Sequence, residues 1–199
     1  MRIVVTGATS FIGAATVRQL LEAGHQVFAV VRPASSNMKH LEKMAEGIDR
    51  GSLVIRQLDL ANIRELTGFA ADAWIHIGWD GAGSDNRTKR DVQQKNVTYA
   101  LDAIETAAAL GCRRFLFTGS QAEYGVWHQT VAEDTSCHPV SEYGKAKVDF
   151  CEKAKILCKR KNMEYIHTRI YSVYGPGDHP WSLVQSCLRT FLEGGSMKL

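Results

Sequence analysis

The sequence predicts an α/β protein with a doubly wound parallel sheet covered by helices on both faces. Short β-branched apolar runs alternate with stretches of helical periodicity almost to the end of the chain. The first such run, Ile3-Val4-Val5, feeds a glycine turn, Gly7 to Gly13, that opens a helix. At 199 residues the chain is long enough for one sizeable core. Strands that alternate with helices pair in parallel through right-handed crossovers.

The elements follow in order. After the opening strand, Ile12, Val17, Leu20 and Leu21 recur at helical spacing until Gly24, a natural stop. Gln26 to Val31 reads as the second strand, and Met38 to Ala45 as a short amphipathic helix. Leu53 to Leu58 is the third strand, followed by Asp59-Leu60 and a small helix near Ile63 to Leu66. Ala73 to Ile77 is the fourth strand, and the glycine-rich stretch Gly78 to Gly83 after it is the expected flexible loop. A long helix is expected over Thr88 to Leu110, closed by Gly111. Arg114 to Thr118, Glu142 to Lys161, Tyr165 to Ile170 and Leu183 to Leu192 complete the pattern as strand, helix, strand and helix.

Bulk composition excludes several functions. Hydrophobic residues make up 45% and charged residues 23%, as in ordinary globular proteins. A net charge of +3 with no basic run argues against nucleic acid. No apolar stretch reaches membrane-spanning length, and the chain opens on a strand rather than a secretory leader. The five cysteines (Cys112, Cys137, Cys151, Cys158, Cys187) form no CxxC pair, which predicts reduced thiols, a cytoplasmic setting and no metal site.

A parallel sheet binds ligands beyond the carboxyl ends of its strands, near the switch in strand order. The N–H groups at the opening of the first helix lack internal partners and face a positive dipole end, which suits a diphosphate. Gly7 permits the tight turn and Gly13 the close packing of helix on strand, while Thr9, Ser10, Phe11 and Ile12 lie along the expected cofactor. Ser10 stands where a middle glycine is usual, so its side chain must point away or hydrogen-bond the diphosphate. At the end of the second strand an acid would read a ribose 2′-hydroxyl, whereas an arginine suits a 2′-phosphate. Arg32 stands there with Ser35, Ser36 and Lys39 behind it, favouring NADP over NAD; a solvated surface arginine is the alternative. Asp59 can accept from an adenine amino group or cap a helix, a task for which Asn62 competes. Leu60, Ile77, Gly78, Trp79, Thr118 and Tyr171 complete the expected cofactor wall.

Tyr143 and Lys147 are four apart, so they share a helix face. An ammonium beside a phenol, with an oxidised nicotinamide near, lowers the phenol's pKa so that it can take or return a substrate proton. Ser120 can steady charge on the same substrate oxygen. Each residue alone also fits an ordinary surface role. Together with Thr6 to Gly13, Asp59-Leu60, His76, Asn96-Val97, Arg114-Phe115, Tyr124-Gly125 and Arg169 to Gly177, the set resembles the NAD-dependent epimerase/dehydratase family, the nucleotide-sugar branch of the extended short-chain dehydrogenases/reductases.

That resemblance implies a Rossmann-like dinucleotide-binding domain over 1–170, with 171–199 beginning a substrate-binding lobe that family members continue further. It implies NAD or NADP as cofactor, a nucleotide-sugar substrate, Tyr143 as acid/base, Lys147 on the nicotinamide ribose, and Ser120, Gln121, Tyr143 and Ser172 on the substrate. A homodimer through a four-helix bundle of the two long helices is also implied. Gln121 and Ala122 replace the Asp-Glu pair of the 4,6-dehydratases, which disfavours dehydration and leaves an epimerase or a ketoreductase. Arg32 in place of an acid tilts toward the ketoreductase. The alternative is a non-catalytic cofactor-binding module.

Overall fold

The computed structural model describes residues 1–33, 35, 37–48, 51–82 and 84–197. Ser36 and Gly83, named above, lie outside them. Six strands, β1 (Arg2–Thr6), β2 (Gln26–Val31), β3 (Ser52–Gln57), β4 (Ala73–His76), β5 (Arg114–Ser120) and β6 (Glu164–Ile170), form one sheet in the order β3-β2-β1-β4-β5-β6. Every pairing is parallel. The order reverses at β1, which lies between β2 and β4, and this places the ligand-binding crevice at the glycine turn.

Alternation along the strands divides the core between the two faces. Ile3, Val5, Val27, Ala29 and Val31 pack with Val17 and Leu21 of α1 (Phe11–Glu22) and Leu41 of α2 (Met38–Ala45). Val4, Phe28, Trp74, Phe115 and Phe117 pack with α3 (Arg90–Ala109) and α4 (Glu142–Arg160). The central strands β1 and β2 bury side chains in both layers, which locks their register from both faces. A fifth helix, α5 (Leu183–Leu192), buries none of its residues.

The sequence expectations err mainly at element ends. β5 runs two residues further than expected, so Ser120 is its last residue instead of lying past it. The small helix after β3 is a 3-10 segment starting at Leu60, and α3 starts at Arg90 rather than Thr88. Two short 3-10 turns, Ser84–Asn86 and Gln121–Glu123, were not expected, because three residues carry no periodicity to read.

Candidate active site

One cleft of about 800 Å³ runs along the carboxyl ends of the strands, from Thr9 and Ser35 at one end to Tyr143 and Lys147 at the other. Its floor at the sheet switch is made by close backbone approach. Gly7 has a φ of +67°, and a Cβ there would lie 2.7 Å from the Gly78 nitrogen. A Cβ on Gly13 would meet the Gly7 carbonyl oxygen at an impossible separation, so only glycine lets α1 rest on the turn. Gly13 itself is buried behind the turn, and the cleft is lined by its neighbours.

Thr9, Ser10, Phe11, Ile12, Asp59, Leu60, Ile77, Gly78, Trp79, Thr118 and Tyr171 do line it, as do Gln121 and Ser172. Ser10 both lines the cleft and takes part in the helix start. Its hydroxyl accepts the Gly13 N–H at 3.1 Å and caps α1, because a free helix N–H lies one turn on. Asp59 likewise accepts the Ala61 N–H at 3.1 Å, so the carboxylate rather than Asn62 caps the following segment. Arg32 is exposed on the rim. Behind it the Ser35 hydroxyl donates to Thr9 Oγ1 at 3.0 Å, and Asn37 donates to the Thr9 carbonyl at 3.4 Å, tying the two phosphate-end loops together.

The other end gathers Ser120, Tyr143 and Lys147 from β5 and α4. Ser141 caps α4 by accepting the Gly144 N–H, which starts the helix so that Tyr143 and Lys147 turn toward the sheet. Lys147 is 2% exposed, and its ammonium donates to the Thr118 carbonyl at 2.8 Å. Burial pushes its pKa down to about 7, against a smaller upward pull from Glu123.

In the ligand-free protein the Tyr143 pKa lies above its ordinary value. Burial raises it, and the Ser120 hydroxyl and the Arg87 charge pull it back only in part. Lys147 lies 5.4 Å from the phenol ring centroid and donates one of its three protons to the Thr118 carbonyl.

Three features escaped the sequence reading. The Arg87 guanidinium stacks 4.5 Å above the Tyr143 ring, and its carbonyl accepts the Tyr143 N–H. Gln93, fully buried on α3, accepts from Trp79 Nε1 at 2.8 Å and donates to the Gly81 and Asn86 carbonyls. Asn96 exchanges two hydrogen bonds with the Asp80 backbone. The loop expected to be flexible is therefore held at Trp79, Asp80 and Gly81 by two buried amides. Asn96 entered the sequence reading only as part of the family resemblance, without this role, and no motif marks Gln93.

Glu123, the residue after Ala122, is fully buried. Its carboxylate accepts from the Ser120 N–H at 2.7 Å, His167 Nε2 at 2.9 Å and Arg169 Nε at 2.9 Å. It braces the end of β5 and does not face the cleft.

Residues 3–199 match the profile of the NAD dependent epimerase/dehydratase family. The chain belongs to that family. Among curated relatives, it is 27% identical to a dTDP-6-deoxy-L-talose 4-dehydrogenase (NAD(+)) of Aggregatibacter actinomycetemcomitans, over 74% of this chain and 52% of the relative. It is 27% identical to UDP-glucose 4-epimerase 2 of Arabidopsis thaliana, over 73% of this chain and 44% of the relative. The chain thus spans about half the length of these relatives. The fold superposes on a UDP-glucose 4-epimerase from Thermotoga maritima with a TM-score of 0.81 and 21% identity, covering 100% of this chain and 65% of the other. It also superposes on a dTDP-glucose 4,6-dehydratase from Streptomyces venezuelae solved with NAD, at 0.79 and 23%, covering 99% and 64%. No described helix of this family member is long and apolar enough to cross a membrane.

Proposed function

We propose that the chain carries the cofactor-binding and hydride-transfer half of an NAD(P)-dependent nucleotide-sugar ketoreductase or epimerase, with Tyr143 as its acid/base. The observation that carries this reading is the convergence of Ser120, Tyr143 and Lys147 at one end of a cleft whose other end is a glycine turn opening a helix. Residues 1–170 are read as the dinucleotide-binding domain and 171–199 as the start of the substrate-facing region, since Tyr171 and Ser172 line the cleft.

The residues present suit a dinucleotide. The Gly7–Gly78 approach leaves no room for a side chain where a diphosphate would rest, and Arg32, Ser35 and Asn37 supply donors at the far rim. A guanidinium there favours NADP, with its 2′-phosphate, over NAD. When bound, the nicotinamide accepts or delivers a hydride at a sugar carbon. Tyr143 Oη holds the proton that the substrate hydroxyl loses or the ketone gains, and its burial keeps the phenol protonated at neutral pH, the state suited to donating to a ketone. Ser120, whose hydroxyl also accepts the Ala122 N–H at 3.2 Å, orients the substrate oxygen. Lys147 supplies a buried donor on the cofactor side. Dehydration lacks an acid–base pair next to Ser120, because Gln121 and Ala122 do not titrate and Glu123 is already occupied by three donors. A reducing cytoplasm suits the five free thiols, and a homodimer through α3 and α4 belongs to the same proposal.

The test is Tyr143→Phe. Turnover of nucleotide 4-ketosugars with NADPH should fall by at least 10³-fold, roughly the worth of a general acid, while NADPH affinity stays within about twofold. Tight cofactor binding with no turnover by the unmodified chain, across a panel of nucleotide sugars, would favour a non-catalytic binding module.

A further inference from the structure

Trp79 stands in the cleft directly after Gly78, and its position is over-determined. The indole N–H is held by the buried Gln93 at 2.8 Å, and the ring lies edge-on to Phe117 and to Tyr143, with centroids 5.7 and 6.3 Å away. The Lys147 ammonium sits 4.0 Å from the centroid of the Trp79 ring and 4.4 Å from that of Phe117. Lys147 is almost wholly buried there, and the Thr118 carbonyl satisfies one of the three ammonium protons. Aromatic faces carry negative potential and stabilise a cation most where water is excluded.

We propose that Trp79 is a positioning residue, its indole face keeping Lys147 in the ammonium form beside Tyr143. The ring replaces part of the hydration that Lys147 loses on burial. The other titratable groups around the amine are His76 on β4, Glu123 in the turn after β5 and Tyr143 on α4 itself. Burial pushes His76 down to about 3, so it is neutral, and the Tyr143 phenol is protonated. Glu123 is the anion among them, and its own hydrogen bonds go to His167, Arg169 and the Ser120 N–H. The Trp79 ring face, nearer to the ammonium than that of Phe117, therefore adds to the pull of Glu123 and the Thr118 carbonyl. Gln93 acts through Trp79: it fixes the plane of the indole and so the height of the ammonium above it. For its catalytic meaning this inference rests on the function proposed above, but its test does not.

The experiment replaces tryptophan by 5-fluoro-, 5,6-difluoro- and tetrafluorotryptophan in the full chain, which drains the ring's negative potential in steps at nearly constant shape. The Lys147 Nζ titration is followed by NMR in the ligand-free protein, and the resonance is assigned by its loss in Lys147→Met. Among the four tryptophans, Trp79 is the one with a recorded ammonium contact, so the series reports on that ring. The Lys147 midpoint should fall steadily with fluorination, by about one pK unit in total, a tenfold weaker hold on the proton. A midpoint that stays constant or rises across the series overturns the proposal and leaves Trp79 a packing residue. A fall in melting temperature without a shift in midpoint is that same negative result. Because no substrate or cofactor enters the measurement, failure of the enzymatic reading would leave this outcome intact, and the reverse also holds.

Discussion

Glu123→Gln is the sharpest probe of what holds the site together. The side chain is wholly buried, and its carboxylate accepts from the Arg169 guanidinium, the His167 ring and one backbone N–H. Burial by itself would raise its pKa, yet His167, the Ser120 N–H and Arg169 together hold it below the ordinary glutamate value. Glutamine keeps the volume, so no cavity opens, but its amide NH2 turns a donor toward other donors and leaves Arg169 and His167 without an anion. Removing one partner of a buried pair costs about 3–5 kcal/mol, which is roughly a fifth or more of the stability of a typical domain of about 5–15 kcal/mol. Urea unfolding followed by far-UV circular dichroism at neutral pH measures it. A loss under about 1 kcal/mol would refute the reasoning, since it would mean the buried charge is not needed to neutralise its partners. The pH dependence carries a second check. A depressed carboxylate contributes stability above its unfolded pKa and loses it as pH falls through the lower folded value. His167, which Cys151 and Glu123 raise against the opposing effect of burial, contributes below the ordinary histidine pKa and loses its share as pH rises through the higher folded value. The unmodified chain should therefore weaken on both sides of a mildly acidic optimum, and the variant should show a flatter profile.

Other outcomes follow from single contacts. Arg32→Ala should weaken NADPH by roughly tenfold or more, the worth of about 1.5–3 kcal/mol for a hydrogen bond to a charged group, while leaving NADH unchanged in a fluorescence titration. Equal losses for both cofactors would place the 2′-phosphate elsewhere. Gly13→Ala should cost about 1–3 kcal/mol by overpacking, because the added methyl collides with the Gly7 backbone carbonyl rather than a movable side chain. An unchanged melting temperature would contradict that. Gln93→Leu strands the Trp79 N–H and two loop carbonyls. It should cost about 1–3 kcal/mol for the unpaired groups and speed amide exchange across 79–86; exchange as slow as in the parent chain would show that the loop is held by something else.

The amino-acid sequence by itself determined the fold class, the order of the six strands and five helices, and the set of residues that could meet at the strand ends. It could do so because periodicity, β-branching and glycine stops are local, and because parallel strands leave few topologies. β2, α2 and α5 were legible to the residue. Tertiary structure decided the electrostatics, which depend on distance and burial rather than spacing. Four residues of separation put Tyr143 and Lys147 on one face, but the Thr118 carbonyl and the Trp79 ring determine what the ammonium touches. The raised Tyr143 pKa, the bracing role of Glu123 and the buried amides that hold the β4 loop all arise where distant elements converge, β5 with β6 and the β4 loop with α3. A chain read one window at a time contains no measure of how dry that meeting point is, and dryness sets the sign of each shift.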